Sequence, residues 1–212
     1  QYMIATGKRF FKGYEDYNEL LRLIFDLETE GLDPSRHRIL QVGIRFNRPI
    51  ETKNGKKEYQ QIFSLKGTTN EEKNVYELEL IKVMIKMIQV YRPDITTAHN
   101  GENFDWWFII ERCKVLGTTI EELTKPFFNG DVIKKNNRET VLKLGGEMET
   151  FYQTIIPNTV VTDSLHAVRR AQALDSNMEK ADLKYVTKYS KIVKPNRVYV
   201  PGDRISTTWK DT

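Results

Sequence analysis

The sequence has a single cysteine, Cys113, among its 212 residues. This excludes a disulfide within the chain and a zinc site built from several cysteines, and it favours a reducing compartment. The sequence also has no apolar run of about 18 residues and no charged start followed by an apolar stretch, so it shows neither a membrane span nor a signal peptide. We therefore expect an intracellular protein without a membrane partner.

The sequence lacks any block of one charge sign, because its 33 basic and 29 acidic residues are mixed and give a net charge of +4. This balance permits a polyanionic partner and does not by itself demonstrate one. A hydrophobic content of 39% allows one sizeable core. The length fits one domain or two small ones, and we interpret residues 1–212 as a single domain with an insertion.

Two carboxylates one residue apart, Asp26 and Glu28, follow the apolar residues 23–25. The apolar run is typical of a buried strand, in which residues i and i+2 share a face, so both carboxylates project together while Leu27 faces the other way. Adjacent negative charges repel each other and are costly to desolvate unless a cation lies between them. The pattern is typical of a divalent metal site, or equally of a solvated strand end before a turn.

Periodicity predicts three antiparallel strands followed by strands that alternate with helices. This order is typical of an α/β fold with a mixed sheet and helices on both faces. Between residues 118 and 158 the pattern is less regular, and we interpret it as an insertion with a polar segment at 134–138 and a β-hairpin at Gly145-Gly146. After the first strand, the predicted strands are 39–46, 60–65, 95–99 and 160–163, and the main predicted helices are 71–91, 103–117, 164–174 and 183–192.

A third carboxylate, Asp105, lies in the first turn of the helix that follows the strand at 95–99. Sites in open sheets form where strands end, so Asp105 could meet Asp26 and Glu28 there. The alternative is that Asp105 only stabilises the positive end of its helix.

Together, the two segments resemble the first two motifs of the 3′-to-5′ exonucleases of the ribonuclease-H-like DEDD superfamily. Asp26-Leu27-Glu28-Thr29 resembles the motif Asp-x-Glu, and Asn100-x-x-x-Phe104-Asp105 has the spacing of the proofreading exonuclease domain of family B DNA polymerases. The hairpin at 145–146 and residues 161–165 are similar to the middle of that domain. The resemblance spans about residues 21–192 and implies a ribonuclease-H-like mixed five-stranded sheet flanked by helices, with an inserted β-hairpin.

The resemblance also implies a mechanism. In this family, two divalent ions, Mg²⁺ or Mn²⁺, hydrolyse the terminal phosphodiester of DNA and lie about 3.5 to 4 Å apart between carboxylates. By position, Asp26 would bridge both ions, Glu28 would hold the ion on the nucleophile side, and Asp105 would hold the ion on the leaving-group side. Hard oxygen ligands suit these ions better than histidine or cysteine would.

Substrate residues and partners follow from the same resemblance. Thr29, Asn100 and Phe104 would hold the frayed 3′ end, with Phe104 stacking on a base, although core packing explains Phe104 equally well. The implied partners are a single-stranded 3′ end of DNA and a polymerase domain of the same parent chain. The implied location is the cytoplasm of a bacterial or phage-infected cell, or the nucleus.

One element of the family pattern has no match in the sequence. The family needs a fourth carboxylate, an Asp on the last helix with Tyr or His four residues before it. Only Tyr199 and Asp203 have this spacing, and Pro201-Gly202 between them makes a helix unfavourable. Asp211 has neither Tyr nor His at that distance. We therefore expect a domain that lacks its C-terminal helix and that has very weak nuclease activity.

Two other functions remain open from the sequence. The chain could be a stand-alone DEDD exonuclease that trims RNA or single-stranded DNA, or a nuclease-like module that binds nucleic acid without catalysis. Lysines at positions 184, 188, 191 and 194 form a row on one side of the last predicted helix. Such a row is usually a solvated face, and beside a nuclease site it could bind phosphates.

Overall fold

The computed structural model describes residues 16–52, 54–144, 147–193 and 196. The strands are β1 (Arg22–Thr29), β2 (Ile39–Glu51), β3 (Lys57–Ser64), β4 (Ile95–Ala98), β5 (Lys134–Lys135), β6 (Thr140–Leu144), β7 (Glu147–Phe151), β8 (Thr154–Ile155) and β9 (Val160–Asp163). The α-helices are α1 (Asn70–Tyr91), α2 (Asp105–Val115), α3 (Ile120–Thr124), α4 (Ser164–Leu174) and α5 (Leu183–Tyr189), and a short 3-10 helix covers Tyr17–Glu19.

A five-stranded mixed sheet forms the centre of the domain, with the strand order β3-β2-β1-β4-β9. The first three strands pair antiparallel, and β4 pairs parallel with both β1 and β9. The α/β fold with a mixed five-stranded sheet is therefore confirmed. Because β1 and β4 are parallel neighbours, their carboxyl ends lie at the same edge of the sheet.

Strand β1 has the alternating burial that the sequence predicts. Leu23, Phe25 and Leu27 are buried, whereas Ile24 is 43% exposed and Asp26 is also exposed. We call the side of the sheet that carries Ile24, Asp26 and Glu28 the polar face. On β2, Gly43 lies opposite Asp26 and Gln41 lies opposite Glu28, so the polar face extends across the neighbouring strand.

The other side of the sheet packs on α1 and α2 and forms the core. Helix α1 begins with a capping box in which the hydroxyl of Thr69 accepts the Glu72 N–H at 3.2 Å and the Glu72 carboxylate accepts the Thr69 N–H at 3.2 Å. It ends at Tyr91 and is followed by Arg92, whose backbone is left-handed, and by Pro93. The largest fully buried side chains are Trp106, Phe25, Phe46, Phe108, Leu23, Ile39, Ile44, Ile81, Met84, Ile85, Ile88 and Ile109.

The insertion contains two nested antiparallel pairs. The inner pair, β6 with β7, is the predicted hairpin, although its turn at 145–146 lies outside the described residues. The outer pair, β5 with β8, was not predicted, since the polar segment 134–138 was expected to be irregular. A strand of two residues has no period to detect, and its position depends on contacts with distant residues.

The last two helices bury little surface. Leu165 is the buried residue of α4, and none of the residues of α5 is buried. Helix α5 ends at Tyr189 rather than at the predicted residue 192, because Lys191 adopts a left-handed backbone with φ of 56°. The candidate fourth-carboxylate positions Asp203 and Asp211, and Lys194, lie outside the described residues.

Within the part of the chain that the structure describes, no helix is both long enough and apolar enough to cross a membrane.

Candidate active site

Asp105 reaches the strand that carries the carboxylate pair. It is buried at the start of α2, and its Oδ1 accepts the backbone N–H of Leu27 at 3.2 Å. Leu27 lies between Asp26 and Glu28 in β1, so the three predicted carboxylates converge at one edge of the sheet. Asp105 therefore does more than stabilise the positive end of its own helix.

Burial and neighbouring charge disfavour the ionised forms of these carboxylates. Burial, together with the charges of Asp26 and Asp163, raises the pKa of Asp105 to about 7, although two backbone N–H groups partly offset the rise. Burial also raises the pKa of Asp26, with His99 opposing the change, even though the Asp26 side chain is exposed on one side. A group of carboxylates with raised pKa values is a site that a cation would stabilise.

The same effect extends to Glu28, the third member of the set. Burial and the charge of Asp26 raise the pKa of Glu28, and Lys184 opposes this rise. Lys184 belongs to the row of lysines noted in the sequence and lies in the first turn of α5. One basic residue of that row therefore acts on the carboxylate group electrostatically.

The donors at this edge fit a hard divalent cation in chemistry, since all three are carboxylate oxygens. Over residues 16–193, apart from the gaps given above, no group of three or more acidic, histidine or cysteine side chains is placed to hold a metal ion by itself. The metal-binding roles of Asp26, Glu28 and Asp105 therefore stay predictions.

The loop between β4 and α2 fixes where Asp105 lies. The carboxylate of Asp163, at the end of β9, accepts the N–H of Asn100 at 2.8 Å and the N–H of Glu102 at 3.0 Å. Asn100 has a left-handed backbone with φ of 63°, a conformation that asparagine tolerates better than most residues. Gly101 is required for space, because a Cβ there would lie 2.6 Å from the Cβ of Ala98.

The three predicted substrate residues have local contacts in this structure. The hydroxyl of Thr29 donates to the carbonyl of Gly31 at 2.8 Å. Phe104 is partly buried against the core, with its ring centroid 5.6 Å from that of Phe108. The backbone of Asn100 belongs to the Asp163 network. These contacts leave the predicted roles of Thr29, Asn100 and Phe104 in substrate binding untested.

Several residues near the site were not singled out from the sequence as site residues. His99 hydrogen-bonds the hydroxyl of Ser164 at 3.0 Å through Nδ1 and lies 3.1 Å from the carbonyl of Ala181 through Nε2, so it ties the starts of α4 and α5 to the end of β4. Asp163 could have been found, because it ends a predicted strand next to β4. The contacts of His99 carry no sequence signal, since they join positions 65 and 82 residues apart.

The chain matches the model of a known protein family. The model of the family described as "DNA polymerase family B, exonuclease domain" matches residues 5–186. This match includes the carboxylate pair, the loop before Asp105 and the whole insertion.

Individual relatives that match the chain over a shorter span are DNA polymerases. The chain is 30% identical over 128 residues to a DNA polymerase of Thermococcus kodakarensis, which is 55% of this chain and 7% of that protein. It is 32% identical over 123 residues to a DNA polymerase of Desulfurococcus sp. (strain Tok), again 55% of this chain and 14% of the relative. The chain thus spans less than a sixth of the length of these curated relatives.

Among solved structures, the fold is similar to that of the family B DNA polymerase from Pyrobaculum calidifontis. The TM-score is 0.58 at 20% sequence identity, and the match covers 91% of this chain and 21% of that structure. At this identity the similarity establishes the fold.

Proposed function

Because the chain belongs to the exonuclease-domain family of family B DNA polymerases, we propose that it hydrolyses the terminal phosphodiester at the 3′ end of a DNA strand. One observation carries this proposal: the Asp105 carboxylate lies 3.2 Å from the backbone nitrogen of Leu27, the residue between Asp26 and Glu28. The pKa values of all three carboxylates are raised there. Such a group of charges lowers stability when no cation is bound, and a divalent cation between the carboxylates would offset this repulsion.

The cofactor is proposed to be a pair of Mg²⁺ or Mn²⁺ ions. Asp26, Glu28 and Asp105 would hold them, and the bound ions would activate a water molecule and stabilise the charge that develops on the leaving oxygen. Thr29, Asn100 and Phe104 would line the approach and orient the terminal nucleotide. Lys184, close enough to act on the charge of Glu28, would keep the phosphate near the carboxylates.

A fourth carboxylate would complete the site from a helix on the polar face. In favour of this, two apolar side chains on that face are uncovered within the described residues: Ile24 is 43% exposed and Ile62 is 61% exposed. A helix with an apolar side packed there could bring an Asp to the edge where β1 ends.

The polymerase version of this function has more support than a stand-alone exonuclease. The family match runs through the insertion, and the curated relatives are DNA polymerases much longer than this chain. We propose that a polymerase domain of the same parent chain delivers a mismatched 3′ end to the site. A module that only binds nucleic acid would have no need for three converging carboxylates.

Divalent metal binding tests the proposed site in the 212-residue chain. At a Mn²⁺ concentration ten times the Kd, binding to the folded state alone is expected to stabilise the chain by about 1.4 kcal/mol, or about 3–5 °C in Tm. The Asp26→Ala variant is expected to lose this stabilisation, because Asp26 is the central ligand. The measurement is a thermal melt in the presence of chelator and then of increasing Mn²⁺.

The matched control is Asp131→Ala, which removes an exposed carboxylate of the insertion. It is expected to keep the full response to Mn²⁺. If both variants respond like the unmodified chain, the carboxylates do not form a metal site, and the proposed function fails.

A further inference from the structure

Glu102 is an acidic side chain buried in the loop that carries Asp105, three residues before it. Both of its carboxylate oxygens accept the backbone N–H of Thr154, at 3.0 and 2.9 Å, and one also accepts the Thr154 hydroxyl at 2.6 Å. Lys135 Nζ donates to the same carboxylate at 2.8 Å and to the Glu102 carbonyl at 2.7 Å. All these partners belong to the insertion, and we call Glu102, Lys135 and Thr154 the Glu102 anchor.

The two insertion residues of the Glu102 anchor form one cross-strand pair. Lys135 on β5 lies directly opposite Thr154 on β8. The ammonium group of Lys135 also donates to the carbonyl of Tyr152 at 2.8 Å, so its three hydrogens have three acceptors. A fully satisfied polar cluster of this kind is rigid, because moving any member leaves a buried group unpaired.

The opposite side of the same loop is fixed by Asp163. Its carboxylate accepts the N–H groups of Asn100 and Glu102, at 2.8 and 3.0 Å. Glu102 is therefore held at its amide by the central sheet and at its carbonyl and carboxylate by the insertion. The start of α2 follows directly, so its position is set by these contacts.

The Glu102 anchor acts on the contact between Asp105 and β1. Asp105 is buried, and its carboxylate lies against the backbone of β1 beside Asp26. One hydrogen bond, from the Leu27 N–H at 3.2 Å, links its carboxylate to that strand. A loop free to relax would move Asp105 away and separate it from Asp26.

We propose that Lys135 and Thr154 are positioning residues, which fix Glu102 and thereby hold Asp105 against β1 for catalysis. The insertion thus contributes to the active site without touching the substrate. The catalytic part of this inference rests on the proposed function. The positioning of Asp105 is a property of the folded chain and can be measured without catalysis.

The Leu27 amide reports on this positioning directly. In the ¹⁵N-labelled 212-residue chain, without metal or DNA, Lys135→Met is expected to speed hydrogen exchange of the Leu27 amide about tenfold, because the Asp105 acceptor moves away. Thr154→Val removes only the hydroxyl and keeps the shape, and it is expected to give a smaller increase, about threefold. The measurement is exchange followed by NMR, with the amides of Ile81 and Ile85 in α1 as reporters of the global fold.

The matched control is Lys134→Met, which removes the neighbouring, exposed lysine of the same strand. It is expected to leave Leu27 exchange unchanged. Faster exchange at Leu27 with protected α1 amides, in Lys135→Met or in Thr154→Val, supports the proposal. Unchanged Leu27 exchange in Thr154→Val and in a folded Lys135→Met overturns it, as does equal acceleration by Lys134→Met. Because no nuclease activity is read, this failure is distinct from a failure of the proposed function.

Discussion

Replacing Glu77 with alanine is expected to lower the free energy of unfolding by about 3–5 kcal/mol. Glu77 of α1 is fully buried and forms a two-pronged ion pair with Arg112 of α2, with Nε at 2.7 Å and Nη2 at 2.6 Å from its oxygens. It also accepts the N–H of Ile39 at the start of β2, at 2.9 Å. Removing the carboxylate would leave the guanidinium of Arg112 buried without a counter-charge.

The effect is large because the pair joins four parts of the fold. Arg112 Nη1 also donates to the carbonyl of Pro34 at 2.8 Å, so the loop after the carboxylate pair is tied to both helices. A loss of this size is a substantial share of the 5–15 kcal/mol that stabilises a typical domain.

The matched control is Glu79→Ala, two residues further along the same helix. Glu79 pairs with Lys82 at 2.7 Å, but the pair is exposed, and its loss is expected to change stability by less than about 1 kcal/mol. Urea unfolding followed by circular dichroism measures both variants. An equal loss of unfolding free energy in Glu77→Ala and Glu79→Ala would show that the buried Glu77–Arg112 pair contributes no more to stability than an exposed pair.

Replacing Asp105 with asparagine is expected to stabilise the chain at pH 8 in the presence of chelator. Asparagine can still accept the Leu27 N–H, and it removes the charge that burial and Asp26 disfavour. The pKa of Asp105 is raised from 3.8 to about 7, so the gain is at most about 4 kcal/mol, at about 1.4 kcal/mol for each pH unit.

The sign of the pH dependence follows from the direction of the pKa shift. The unfolded chain loses the Asp105 proton near pH 3.8 and the folded chain near pH 7, so between these values the folded state binds more protons. Stability of the unmodified chain therefore falls as pH rises from about 4 to about 7, and the asparagine variant lacks this fall. The free energies of unfolding of the unmodified chain and of Asp105→Asn should differ little at pH 4 and most above pH 7.

Urea unfolding at pH 4, 6 and 8 checks this prediction, with Asp131→Asn as the exposed control. An Asp105→Asn variant that is less stable than the unmodified chain at pH 8, or a difference that does not grow with pH, would contradict it. Such a result would mean that the carboxylates are not electrostatically strained in the folded state.

The elements that carry periodic apolar residues could be predicted from the sequence. Strand β1 was predicted from its apolar run, and helix α1 was predicted to within one residue at each end, because burial, capping and proline act locally. The outer pair β5–β8 was not predicted, since its two-residue strands exist only through contacts such as Lys135 with Glu102. Local signals cannot identify a strand that tertiary contacts create.

The site shows the same division. Asp26 and Glu28 share a face because of the strand period alone. The strand–helix order and the motif gave the approach of Asp105 as one of two alternatives. The residues that hold Asp105 in place, Glu102 and Asp163, act across 52 to 63 residues of sequence. Their side chains look like ordinary loop and strand-end polar residues until the fold brings them together.

The most direct test of the central claim is 3′-end removal by the proposed parent polymerase. With Mg²⁺ and a single strand labelled at its 5′ end, the unmodified enzyme is expected to give a ladder of products shortened from the 3′ end. Asp26→Asn is expected to slow this shortening by about 10³-fold, because several kcal/mol of charge stabilisation are lost, while DNA synthesis continues at its normal rate. Shortening by the variant at the rate of the unmodified enzyme would contradict the account.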